Sequence, residues 1–179
     1  MTAAAYDGIA IGASLATLDA PDGYGLVADG AVAWRDGVLA YVGPMRDLPD
    51  APGALAHEVV DCSGSLITPG LVDCHTHVVF AGNRAKEFEQ RLQGASYEDI
   101  ARAGGGILST VRAVRDASED DLFAQSVQRA RALARDGVTT LEIKSGYGLD
   151  FANERKMLRV ARRIGEVLGI AVRTTYLAA

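Results

Sequence analysis

The ten residues Thr68-Pro69-Gly70-Leu71-Val72-Asp73-Cys74-His75-Thr76-His77 separate two kinds of sequence, and that change of texture constrains the fold more than any other feature. Before it, from Ile9 to Ile67, short apolar stretches are broken by turn pairs: Pro21-Asp22-Gly23, Asp29-Gly30, Asp36-Gly37 and Gly43-Pro44. Such punctuation predicts short strands. Residues 31–35 and 38–42 flank Asp36-Gly37, which supplies the positive φ angles of a tight hairpin turn. A small antiparallel β-domain over 1–67 is expected, with Pro49 to His57 as loop and His57 solvated.

After the boundary, over 68–179, helical and strand patterns alternate. Ser96 with Asp99, and Ser118 with Asp121, have capping spacing. The first predicts a short helix that stops at Gly104-Gly105-Gly106; a second helix runs from about Leu108 to Arg115. From Leu122 to Ala134 apolar residues recur at helical spacing until Gly137. Val138-Thr139-Thr140-Leu141-Glu142-Ile143 reads as a buried parallel strand. Asp150 caps a helix carrying Met157, Leu158, Ala161, Ile164 and Leu168, Gly169 closes it, and Ile170 to Ala178 forms a third strand. Strands joined by helices through short links predict right-handed parallel crossovers, hence an α/β architecture. The glycine triplet follows a helix and lacks the spacing of a dinucleotide fingerprint, so it is a loop.

Composition narrows function by exclusion. A net charge of −5 with no lysine- or arginine-rich block argues against nucleic acid or an anionic membrane as partner. No run approaches the ~20 apolar residues of a membrane span, and the N-terminus has no basic segment leading into an apolar core. A cytoplasmic protein acting on a small soluble molecule is expected. Cys62 and Cys74 form no disulfide framework or zinc knuckle and are expected to be small buried hydrophobes.

The chemistry concentrates at the boundary. On a strand, residues i and i+2 share a face, so His75 and His77 aim together and suit one metal ion. A lone His-x-His is a weak signal, because histidines also sit in cores and on surfaces. Arg84 can grip a carboxylate bidentately or form a surface ion pair; the sequence leaves both open. Tyr147 lies between Gly146 and Gly148 and can present its phenol to a ligand. Tyr97 is a weaker ligand contact that packing would equally explain. Asp73 shares the face of the histidines and either orients one of them or makes a plain structural hydrogen bond.

Thr68 to His77, Val79-Phe80-Ala81-Gly82-Asn83-Arg84, Arg91 to Tyr97, Ala103 to Ile107 and Glu142 to Asp150 together resemble the imidazolonepropionase family of metal-dependent amidohydrolases. The resemblance runs from about Gly25 onward. It implies that 1–67 is part of a β-sandwich and that 68–179 is the first three strands of an amidohydrolase-type (β/α)8 barrel, incomplete here because a whole barrel takes about 250 residues. It also implies one divalent metal, Zn or Fe, with His75 and His77 among its ligands. Arg84 and Tyr147, with Tyr97 a weaker member, would bind a carboxylate-bearing substrate. The implied reaction is hydrolysis of 4-imidazolone-5-propanoate to N-formimidoyl-L-glutamate, in a full-length protein that could form a homodimer. Further ligands and proton-shuttling groups would lie beyond Ala179, so the chain alone should be inactive. Lys144 sits on the second barrel strand, not the fourth, and is therefore structural, not a metal-bridging carboxylated lysine. Alternatives are another cyclic amidohydrolase or a base deaminase, or a non-catalytic truncated subunit acting by association.

Overall fold

Strand β1 (Tyr6–Ala16) pairs antiparallel with β2 (Leu26–Arg35), which pairs antiparallel with β3 (Val38–Pro44). Asp36 and Gly37 join β2 to β3 with φ of +52° and +73°, the left-handed pair that the tight hairpin requires. Gly8 faces Trp34 across the β1–β2 ladder, and a Cβ there would lie 2.1 Å from the indole, so the absence of a side chain makes room for the ring. The computed structural model describes residues 4–177 and divides into two units, Met1–Pro69 and Gly70–Ala179.

In the first unit the segment expected to be loop is ordered differently. Pro52–Leu55 forms one helical turn, α1, started by its proline, and His57 lies exposed in strand β4 (Ala56–Asp61). β4 and the short β5 (Leu66–Ile67) run parallel to β1, so the sheet is mixed, with order β3-β2-β1-β4 and β5 against the end of β1. The crossover through α1 returns the chain in the direction of β1, which a hairpin cannot do. Ile9, Ala31, Ala33 and Ala56 form the buried core, with Tyr6 and Tyr41 packed on it.

The second unit is built on three parallel strands in the order β6 (Leu71–Thr76), β7 (Val138–Lys144), β8 (Ala171–Thr175). Between β6 and β7 run α2 (Ala85–Leu92), α3 (Tyr97–Arg102), α4 (Ile107–Asp116) and α5 (Glu119–Arg135); α6 (Phe151–Leu168) joins β7 to β8. The caps are as the sequence implies. Ser96 and Asp99 close a reciprocal capping box, the Ser118 hydroxyl accepts from the Asp121 amide, Asp150 accepts from the Asn153 amide, and Gly169 ends α6 in the left-handed conformation. α2 was not evident in the sequence: none of its residues is buried, and no side chain caps its start.

Leu141 and Ile143 of β7 are fully buried against Leu122, Val127 and Ala130 of α5 and Met157, Val160, Ala161 and Ile164 of α6. Each of the leucine, isoleucine, valine and methionine side chains contributes roughly 1.5–3 kcal/mol of burial free energy, the alanines less. Because side chains alternate along a strand, the same packing turns Thr140, Glu142 and Lys144 to the opposite face. That face is polar, unlike the two-sided apolar strand the sequence suggests.

Candidate metal and ligand site

β6 ends at Thr76, whose buried hydroxyl donates to the carbonyl of Glu142 at 2.7 Å and ties the strand end to β7. His75 is the exposed penultimate residue and His77 the first residue past the strand, half-buried. Their ring centroids are 5.4 Å apart and the planes tilt by 59°. Two imidazoles on one tetrahedral ion, each nitrogen about 2.05 Å from it, would have ring centres roughly 5 Å apart, so the pair fits as two ligands of a metal. The His77 Nδ1 is buried with no hydrogen-bond partner, as a nitrogen reserved for another interaction would be. Burial pushes the His77 imidazole below its ordinary pKa; the nearby charges of His75 and Lys144 add to this and Glu142 opposes it. Neutral imidazole is the form that ligates metal. No group of three or more His, Cys, Asp or Glu side chains that could hold a metal occurs among the described residues.

Asp73 does not reach the imidazoles as a hydrogen-bond acceptor: its Oδ1 accepts from the backbone N–H of His75 at 3.2 Å, fixing the strand end. Lys144 donates to Glu142 Oε1 at 2.7 Å, and Thr175 donates to the same oxygen. Burial works to raise the Glu142 carboxyl, but these bonds and the Lys144 charge hold it below the usual carboxylate range. This is a structural pairing of Lys144.

Tyr147 connects the histidines to a cavity. Its ring centroid is 5.6 Å from that of His77, and it meets Phe80 edge-on at 6.4 Å. Phe80, Asn83, Arg84, Thr110 and Tyr147 line a cavity of about 280 Å³. Arg84 donates through Nε (3.1 Å) and Nη2 (3.0 Å) to the hydroxyl of the buried Thr110. No ion pair involves Arg84 among the described residues. A guanidinium has five N–H groups, so three remain for a ligand. Tyr97 is exposed and stands on the other side of Arg84, in a separate cavity of about 200 Å³ with Glu87, Phe88, Arg91 and Ile100.

The segment after the histidines is held by Arg129 of α5, which donates to the carbonyls of Val78 (2.9 Å) and Phe80 while its guanidinium covers the Phe80 ring at 3.7 Å. Thr110 and Arg129 carry no local sequence signal and are marked only by long-range contacts, while Glu154 binds the Tyr147 loop five to eight residues before it. The cysteines depart from expectation: Cys62 is partly buried and Cys74 exposed. Cys74 lies two residues from Val72 on β6, which is also exposed, so both sit on the same uncovered face of the strand among the described residues.

No family model matches the chain. It is 61% identical over 166 residues to the imidazolonepropionase of Ralstonia nicotianae, covering 92% of this chain and 40% of the relative. To the imidazolonepropionase of Pseudomonas entomophila it is 60% identical over 156 residues, 87% of this chain and 38% of that one. Among solved structures, a triazine hydrolase from Arthrobacter aurescens has a TM-score of 0.61 at 17% identity, covering 94% of this chain and 35% of that one. A guanine deaminase from C. acetobutylicum has a TM-score of 0.54 at 17% identity, covering 93% and 35%. These two likenesses concern the fold, a mixed α/β one. The chain spans about two fifths of the length of the curated relatives it matches, and over most of its own length it is similar to imidazolonepropionases.

Proposed function

We propose that the chain forms the first part of an imidazolonepropionase active site, acting on the cyclic amide of 4-imidazolone-5-propanoate. Residues 1–67 are read as part of a β-sandwich and 68–179 as the first three strands of a (β/α)8 barrel, a reading supported by parallel strands joined through helices. In such barrels reacting groups lie at the C-terminal strand ends, where His75, His77 and Tyr147 are found. The observation that carries the proposal is Tyr147, whose ring stands against His77 and lines the same cavity as Arg84, joining a metal-competent pair to an anion-binding arginine.

His75 and His77 would hold one divalent ion, zinc or iron, with the remaining donors expected from the length of the relatives that this chain does not span. Such an ion supplies Lewis acidity that brings the pKa of water toward neutrality. The chain's own residues bind and orient. Arg84 takes the propanoate carboxylate with the N–H groups not given to Thr110, and Tyr147 offers its hydroxyl to the ring end of the substrate; Tyr97, exposed in the separate cavity beyond Arg84, makes no contact in this reading. The partner in this reading is a small carboxylate in the cytoplasm, not nucleic acid or membrane, and the full-length protein could form a homodimer.

A chimera tests this: the 179-residue chain joined to the part of the Ralstonia relative that it does not cover. The metal-loaded chimera should convert imidazolone propanoate to N-formimidoyl-L-glutamate, and His77→Asn should abolish turnover. The 179-residue chain alone should be inactive. A folded, metal-loaded chimera without this activity but with turnover of another cyclic amide or an aminated base would favour that alternative. A discrete, stoichiometric oligomer of the short chain would favour a role in association.

A further inference from the structure

Glu154 is 2% exposed, and its two carboxylate oxygens accept three backbone N–H groups from one loop. Gly146 donates to Oε2 at 2.6 Å, Gly148 to Oε1 at 2.6 Å and Leu149 to Oε1 at 2.7 Å. Charge-assisted bonds of this kind are about twice as strong as neutral ones. Though Glu154 lies in the first turn of α6, it does not cap that helix, because Asp150 already accepts from the Asn153 amide. Its hydrogen bonds go to the loop between β7 and α6.

That loop is shaped around the carboxylate. Gly146 has φ +122°, Leu149 holds φ +54° despite its side chain, and a Cβ on Gly148 would meet the Glu154 backbone nitrogen at 2.6 Å. On the other side Arg115 donates to the Gly148 carbonyl at 2.8 Å. Tyr147 sits between the anchored glycines and directs its ring at His77 and Phe80.

We infer that Glu154 is the positioning residue for Tyr147: by collecting the amides of Gly146, Gly148 and Leu149 it fixes the loop so that the phenol ring stands between His77 and the Arg84 cavity. The functional consequence rests on the reading of Tyr147 as a ligand contact; the positional one does not. Glutamine keeps the volume of glutamate but replaces one acceptor oxygen with a donor, which must oppose at least one loop amide.

In the 179-residue chain, Glu154→Gln should speed hydrogen exchange of the Gly146, Gly148 and Leu149 amides at least tenfold and remove the nuclear Overhauser contact between the Tyr147 and His77 rings. The Leu141 and Ile143 amides should keep their protection. Unchanged exchange and a persisting ring contact would overturn the inference. In the chimera, Glu154→Gln and Tyr147→Phe should each raise KM for imidazolone propanoate. If Tyr147→Phe leaves KM unchanged while Glu154→Gln still dissolves the ring contact, the substrate reading of Tyr147 fails and the positioning stands. Should Glu154→Gln not fold, the unmodified chain decides: the three amide protons should be more protected than the Tyr147 amide, and equal protection would overturn the inference.

Discussion

Arg84 is the residue whose role divides most sharply. With two N–H groups on Thr110 and no ion pair among the described residues, the guanidinium is oriented but not paired with a carboxylate. Hydrogen bonds to charged groups are worth about 1.5–3 kcal/mol, so Arg84→Met in the chimera should raise KM for a carboxylate-bearing substrate roughly 10–100-fold, and equal KM values would refute the grip. Asp150 governs a different property. Hydrogen bonds from the Asn153 amide and side chain, with the Arg115 charge adding, hold its carboxyl below the usual carboxylate range against a small opposing effect of burial. A folded-state pKa below the unfolded one, itself about 3.9, means the stabilisation is fully present above that value and is lost as pH falls through the folded one. Asp150→Asn should therefore flatten the acid limb of the urea midpoint plotted against pH; an unaltered limb would show that other carboxylates dominate. At this scale the sequence disclosed groups whose chemistry is local: two histidines at strand spacing and a tyrosine framed by glycines. Thr110 stayed hidden because it matters through Arg84, which folding alone brings near, and Glu154 because its carboxylate serves nearby backbone amides, which leave no side-chain pattern to read.

Elements were legible where backbone chemistry punctuates them. Ser118, Asp150, Gly169 and the Asp36-Gly37 turn each satisfy a requirement of the chain ends they occupy, independent of tertiary contacts. Ser118→Ala should destabilise the second unit by about 1 kcal/mol, read as a lower urea midpoint with an unchanged m-value; no shift would mean that the Asp121 amide finds water as readily. Elements without such signals were missed. α2 buries nothing, so its pattern has no core-facing stripe to detect, and β4 forms because β1 offers an edge, a condition invisible between Pro49 and His57. The mixed sheet follows from that edge pairing and not from any turn the hairpin rules describe.

Across the whole chain, apolar side chains remain uncovered in both units. Val38, Leu39, Val42, Val59, Val60 and Leu66 are exposed on the strands of the first, and Leu71 and Val72 on β6 of the second, where Val72 is 66% exposed. Scattered apolar exposure is ordinary, but strand edges bearing it are templates for further pairing. Among the described residues both β6 and β8 are edges of the second sheet, whose order is β6-β7-β8. Relatives more than twice as long carry additional chain, which in the proposed barrel reading would cover these surfaces. The 179-residue polypeptide should therefore bind an apolar dye such as ANS and elute as a broad, heterogeneous distribution above its 18.8 kDa monomer mass, not as a discrete oligomer, while the chimera should bind little dye. A dye-silent monomer of the short chain would mean that these faces tolerate water, and the case for a barrel completed by further strands would lose its main physical support.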